Sequence, residues 1–94
     1  MEIQQHAKST KGSFFMEAEG KITAELTYSK AGEKLIIIDH TEVSEMLQGE
    51  GIGEALVLKA VEFARTNQIK ILPLCPFAKS VFEKKPEIRD VLSK

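Results

Sequence analysis

Gly49, Gly51 and Gly53 occupy alternate positions between an apolar, strand-like run and a stretch with helical periodicity. Glycines placed there let backbone N–H groups approach an anion with no Cβ in the way. A helix starting at this point adds unpaired N–H donors and the positive end of its dipole. The chemistry implied is the holding of a phosphate-bearing ligand. Three further residues carry proton or nucleophilic chemistry. His40 and Glu42 lie two apart on one strand and share a face, though the period does not say which face. Either suits a general base, and His40 is preferred because its ordinary pKa lies near working pH. The structural alternatives are a histidine bonded to its neighbours and a glutamate in a solvated turn. Cys75 precedes Pro76 at the head of a helix whose N-terminus would lower a thiol's pKa, so it reads as a chemical group or as a small apolar wall residue.

Two familiar glycine patterns are excluded. A Walker A loop ends in Gly-Lys-Ser/Thr, whereas Gly53 is followed by Glu54 and Ala55. The dinucleotide fingerprint needs a third glycine where Leu56 stands and an acidic residue ending the next strand, where the chain has Leu74 and Cys75. What remains is Gln48-x-x-Gly51-x-Gly53, which resembles the Gln/Arg-x-x-Gly-x-Gly/Ala signature of the GNAT superfamily of acetyl-CoA-dependent N-acetyltransferases. His40-Thr41-Glu42-Val43 and Leu74-Cys75-Pro76-Phe77-Ala78-Lys79 extend it, and residues 38–83 look like a short single-domain GNAT-like subgroup.

The resemblance implies an acetyl-CoA site in which the loop's amides hold the pyrophosphate of coenzyme A. Val43, Gln48, Gly49, Gly51, Ile52 and Gly53 are its cofactor-binding residues. It implies that the central strand and the strand after the crossover splay apart, with the pantetheine arm between them and backbone near Glu42 and Val43 bonding it. The thioester then falls near His40, Glu42 and Cys75, where Cys75 serves as a covalent acetyl acceptor, as an acid for the leaving thiolate, or as a wall. Two departures matter. The helix after Cys75 carries no Tyr to act as the family's usual acid, and residues 6–14 are too few and too polar for the helices that enclose the acceptor in full-length enzymes. The acceptor site is therefore expected to be open to a protein amine, a polyamine or a small amine. A coenzyme A-binding module without robust catalysis and a small interaction domain are the alternatives.

The elements that position these residues follow from periodicity. Phe14-Phe15-Met16-Glu17-Ala18, and then the alternation of Ile22, Ala24, Leu26 and Tyr28 with polar neighbours, form an antiparallel meander. Leu35-Ile36-Ile37-Ile38 is apolar at consecutive positions, as in a central strand covered on both faces. Ile52, Leu56, Ala60, Phe63 and Ala64 define a helix over 51–67. Ile69 to Pro73 completes a right-handed β-α-β crossover, and short helices over 77–84 and 87–92 break at Pro86. The fold class expected is α/β (α+β), a compact GNAT-like mixed sheet. Ser44 reads as part of a turn rather than a helix cap. Lys79 and Ser80 either reach the phosphates or face solvent.

Ninety-four residues, 43% of them apolar, can bury one core, so one domain over 1–94 is expected. A net charge of −1 argues against nucleic acid as the main partner. No apolar run reaches membrane-spanning length, the first residues lack a leader's pattern, and the single cysteine fits a reducing compartment. A cytoplasmic monomer or weak homo-oligomer is expected. Two histidines and one cysteine assemble no zinc pattern, and His6 has no partner at ligand spacing.

Overall fold

A computed structural model describes residues 2–93. It orders the chain as β1 (Gln4–Ala7), β2 (Lys11–Ala18), β3 (Lys21–Lys30), β4 (Leu35–Val43), a 3-10 turn (Glu45–Leu47), α1 (Ile52–Asn67), β5 (Lys70–Pro73), α2 (Pro76–Lys84) and a second 3-10 segment (Pro86–Val91). The strands form one sheet in chain order. The first three interfaces are antiparallel, and β4 and β5 are parallel across α1. This is the mixed α/β arrangement of meander, crossover and short C-terminal helices that the periodicity implies.

The helices pack on one face of the sheet. From β3, Ala24, Leu26 and Tyr28 are buried, and α1 presents Ile52, Leu56, Val57, Ala60, Val61 and Ala64 to them. Ala78, Val81 and Phe82 of α2 join the same core. Each of the larger side chains among these, Leu, Ile, Val and Phe, stabilises by about 1.5–3 kcal/mol when fully buried, so this face carries most of the folding energy. The reverse face is different. Ile36 and Ile38 are buried, but Leu35 and Ile37 are only half-buried. The expectation of cover on both faces is therefore corrected. The apolar run is continuous, yet the segment before β2 forms a strand rather than a helical layer.

That strand, β1, has no periodic signal, because Gln4, Gln5, His6 and Ala7 are all exposed. It is held by its ladder to β2 and by one side chain. Tyr28 is fully buried, and its phenol must find a partner. Gln5 Nε2 donates to Tyr28 Oη at 3.0 Å. The Tyr28 ring also packs near Phe14 and Phe63, with centroids at 5.6 and 6.1 Å.

At the other end, Pro86 opens the second 3-10 segment as the expected break. Arg65 pins that segment to α1 by a paired contact with Asp90, at 3.0 and 2.7 Å, and by donating to the Glu87 carbonyl at 2.8 Å.

Gly12 lies directly against the Tyr28 ring, so a Cβ there collides with two ring carbons and the phenol oxygen. Gly12→Ala is expected to cost about 1–3 kcal/mol, the usual penalty for overpacking. Urea unfolding with an unchanged slope and a lower midpoint is the expected result, and an unshifted midpoint would contradict this packing.

Candidate functional site

The site begins where a ladder stops. β4 and β5 pair from Leu35 with Lys70 to Ile38 with Pro73. The Leu74 and Cys75 amides then converge on the Ile38 carbonyl, at 3.1 and 3.2 Å, and the chain turns into α2. β4 continues through residues 39–43 with β3 on one side only. The Ser44 amide donates to the Thr23 carbonyl at 2.8 Å, which sets the phase of the antiparallel ladder. Glu42 and His40 then exchange bonds with Glu25 and Thr27, and the N–H and C=O groups of Thr41 and Val43 point to the opposite, open edge.

A bulge decides which side chains face this edge's cleft. Tyr28 pairs with Ile38 but Thr27 pairs with His40, so Asp39 is an extra residue on β4. Strict alternation would continue the core face of Ile36 and Ile38 onto His40 and Glu42. The extra residue transfers that face to Thr41 and Val43 instead. His40 and Glu42 do share a face, as their spacing implies, and it is the exposed reverse face. Ser29 Oγ donates to Asp39 Oδ2 at 2.7 Å and ties the bulge to β3.

Beside the open edge lies a cleft of about 470 Å³. Val43, Gln48, Gly49, Gly51, Ile52 and Gly53 all line it. Gly49 and Gly51 take left-handed backbone angles, φ 86° and 75°, which favour glycine, and a Cβ at either would enter open space. Gly51 starts α1 with no side-chain cap, and the Ala55 amide is the first to be used, donating to the Gly51 carbonyl at 3.0 Å. The N–H groups before it are available to an anion. Ile52 buries its side chain and offers the cleft its backbone. Gly53 lines the cleft and has a packing role as well: a Cβ there would come within 2.8 Å of the Phe77 ring, so its bareness lets α2 approach α1. Gln48 Nε2 donates to the Val43 carbonyl at 3.3 Å. Ser44 precedes a single 3-10 turn and makes no side-chain cap bond.

Cys75 is 5% exposed, and its Sγ lies 3.5 Å from Thr41 Oγ1. Burial pushes the thiol up. The Ala78 amide, the Thr41 hydroxyl and the Phe77 amide outweigh that effect and leave it below the ordinary thiol range. Thr41 lines the cleft and Cys75 does not, so the thiol is one hydroxyl removed from it. Glu42 instead borders a separate, smaller cleft with Glu25 and Glu45, and Val43 is common to the two. Lys79 faces a groove on the far side of α2, and Ser80 Oγ bonds the Phe77 carbonyl within its own helix. Neither meets the glycine turn.

A family model described as GCN5-related N-acetyl-transferase matches residues 13–91. The chain belongs to the GCN5-related N-acetyltransferase family. Among solved structures, a GCN5-like protein of Staphylococcus aureus is 38% identical, with a TM-score of 0.73 over 98% of this chain and 87% of that one. The ribosomal-protein-alanine N-acetyltransferase of Brucella melitensis shares 16% identity at TM-score 0.68, over 82% of this chain. Tetrahymena GCN5 shares 17% at 0.66, also over 82%. At those identities the likeness is one of fold. The chain spans 62% of the Brucella enzyme and 51% of Tetrahymena GCN5. A comparison with curated protein sequences finds no match.

Thr41, Phe77 and Lys84 line the cleft of this GNAT domain and were not legible as site residues. Thr41 depends on the bulge, which leaves no periodic trace. Phe77 reads as a core aromatic but is 42% exposed. Lys84 reads as a surface charge until α2 is docked.

The thiol geometry yields a measurable consequence. Alkylation of Cys75 by iodoacetamide in the native protein is expected to rise with a pH midpoint below that of a cysteine peptide, and Thr41→Val should move the midpoint upward. A native midpoint equal to the peptide's would contradict the arrangement.

Proposed function

We propose that this GNAT chain binds acetyl-CoA in the cleft and promotes acetyl transfer to an amine. The observation that carries the reading is the unpaired edge of β4 running into a glycine-led helix start. One strand of backbone donors and acceptors meets one set of amides suited to phosphate, and together they fit a ligand that is a polar chain at one end and a diphosphate at the other. When bound, acetyl-CoA supplies an activated acetyl thioester. The Thr41 and Val43 backbone would hold the pantetheine arm, with the Gln48 amide giving up the Val43 carbonyl. The amides from Gly51 to Gly53 would hold the diphosphate.

The remaining roles belong to side chains around the end of the β4–β5 ladder. His40 stands on the uncovered face next to Thr41 and would accept the proton of the attacking amine, with Glu42 the second base on that face. Cys75, acting through the Thr41 hydroxyl, would hold a proton for the departing sulfur in place of the tyrosine that α2 lacks. No helix of the described residues covers the face bearing His40, which supports an acceptor approaching from open solvent, such as a protein amine or a polyamine. A coenzyme A-binding module without robust turnover is favoured by one observation, the burial of the Cys75 thiol.

Calorimetric titration with acetyl-CoA is expected to show saturable binding that Gly51→Asp abolishes, because aspartate adds a charge and a strained left-handed residue to the cradle. Turnover with an amine panel should then fall about 100-fold or more in Cys75→Ala and in His40→Ala, with acetyl-CoA affinity retained, as removal of a general acid or base does. Absence of binding would sink the proposal. Binding with no acetylated product would select the module.

A further inference from the structure

We propose that Lys84 is a phosphate-contacting residue that selects a phosphorylated acyl donor, and that Glu54 holds it at the cleft until the donor takes its place. The inference rests on the donor reading above and adds to it a side-chain charge switch.

The first turn of α1 carries Glu54 on the wall of the cleft whose amides favour an anion. A carboxylate there suits the helix dipole, but it repels a phosphate bound to the same turn. Two lysines from the end of α2 answer that charge, unequally. Lys85 Nζ lies 3.3 Å from Glu54 Oε2, and its side chain is 29% exposed. Lys84 Nζ lies 3.9 Å from Glu54 Oε1, its side chain is 66% exposed, and it alone of the two lines the cleft. Lys85 is thus the settled partner of Glu54. Lys84 is held loosely at the edge of ion-pair distance, where a second anion can draw it away without leaving Glu54 uncompensated. With Lys85 matched to Glu54, Lys84 is the cation left to face the cleft.

If the three groups were only a staple between α1 and α2, removing either side of the Lys84–Glu54 contact would act in the same direction, and both variants would loosen the cleft alike. A phosphate-contacting Lys84 with a competing Glu54 demands opposite signs. It also demands that the effect vanish for a donor with no phosphate.

The test titrates wild type, Lys84→Ala and Glu54→Gln with acetyl-CoA by calorimetry and with S-acetylpantetheine by NMR shift changes, each at two salt concentrations. Lys84→Ala should weaken acetyl-CoA about tenfold or more, the usual worth of a hydrogen bond to a charged group, and flatten its salt dependence. Glu54→Gln should tighten acetyl-CoA several-fold, and acetylpantetheine should bind all three proteins alike. Equal losses for both donors, or losses in both variants, would overturn the assignment and leave a structural ion pair. Wild-type protein that binds acetylpantetheine but not acetyl-CoA would also overturn it. If wild type binds acetyl-CoA and Lys84→Ala binds it equally well, only the lysine assignment falls. If wild type binds neither donor, the donor reading falls with it.

Discussion

The structure turns on the point where β5 stops pairing with β4. Parallel pairing ends at Pro73, a residue with no N–H to offer, and the next two amides close on the single carbonyl of Ile38. β4 goes on with β3 on one side only, so Thr41 and Val43 present main-chain groups to an edge that no strand of the described residues fills. Backbone donors and acceptors are satisfied in folded proteins, by water or a partner if not by a ladder. An edge of this kind beside a helix start is therefore a place for a polar, chain-like ligand. Gln48 already fills one of the positions by donating to the Val43 carbonyl.

A single extra residue then sorts the side chains. With Asp39 bulged, the thiol-bearing pair Thr41 and Cys75 lies on the helix side of the sheet, and His40 and Glu42 lie on the uncovered side. Groups suited to accept a proton and a group suited to supply one are thus placed on opposite faces of one strand, with the unfilled edge between them. The same bulge sets like charges opposite each other, Glu25 against Glu42, an arrangement that weakens a strand pair rather than strengthening it.

The layers explain how so short a chain keeps such a site. Packing is confined to one face, where α1 and α2 cover the sheet and the rings of Phe14, Tyr28 and Phe63 pack together. The strand β1 adds little burial, but its Gln5 satisfies the Tyr28 phenol, whose loss would leave a costly unpaired group in the core. At the cleft the close approach of α2 to Gly53 brings Phe77 and Lys84 to the rim. The packing of two helices thereby becomes a property of the site.

The sequence by itself determined the elements that carry strong local signals. Alternation in β3, the apolar stripe of α1 and the proline breaks all follow from side-chain period and backbone geometry, which neighbours in the chain decide. The glycine turn was equally legible, because left-handed angles at Gly49 and Gly51 are open to few other residues. The polar strand β1, the 3-10 turn before Gln48 and the second short helix as a 3-10 segment were not, since each is held by contacts made far along the chain. Only the tertiary structure decided the faces. Spacing put His40 with Glu42, but the bulge at Asp39, fixed by pairing with β3, chose the side they occupy. Thr41, Phe77 and Lys84 became cleft residues only once β4, α1 and α2 were brought together, because a cleft is a relation between elements and no one element contains it.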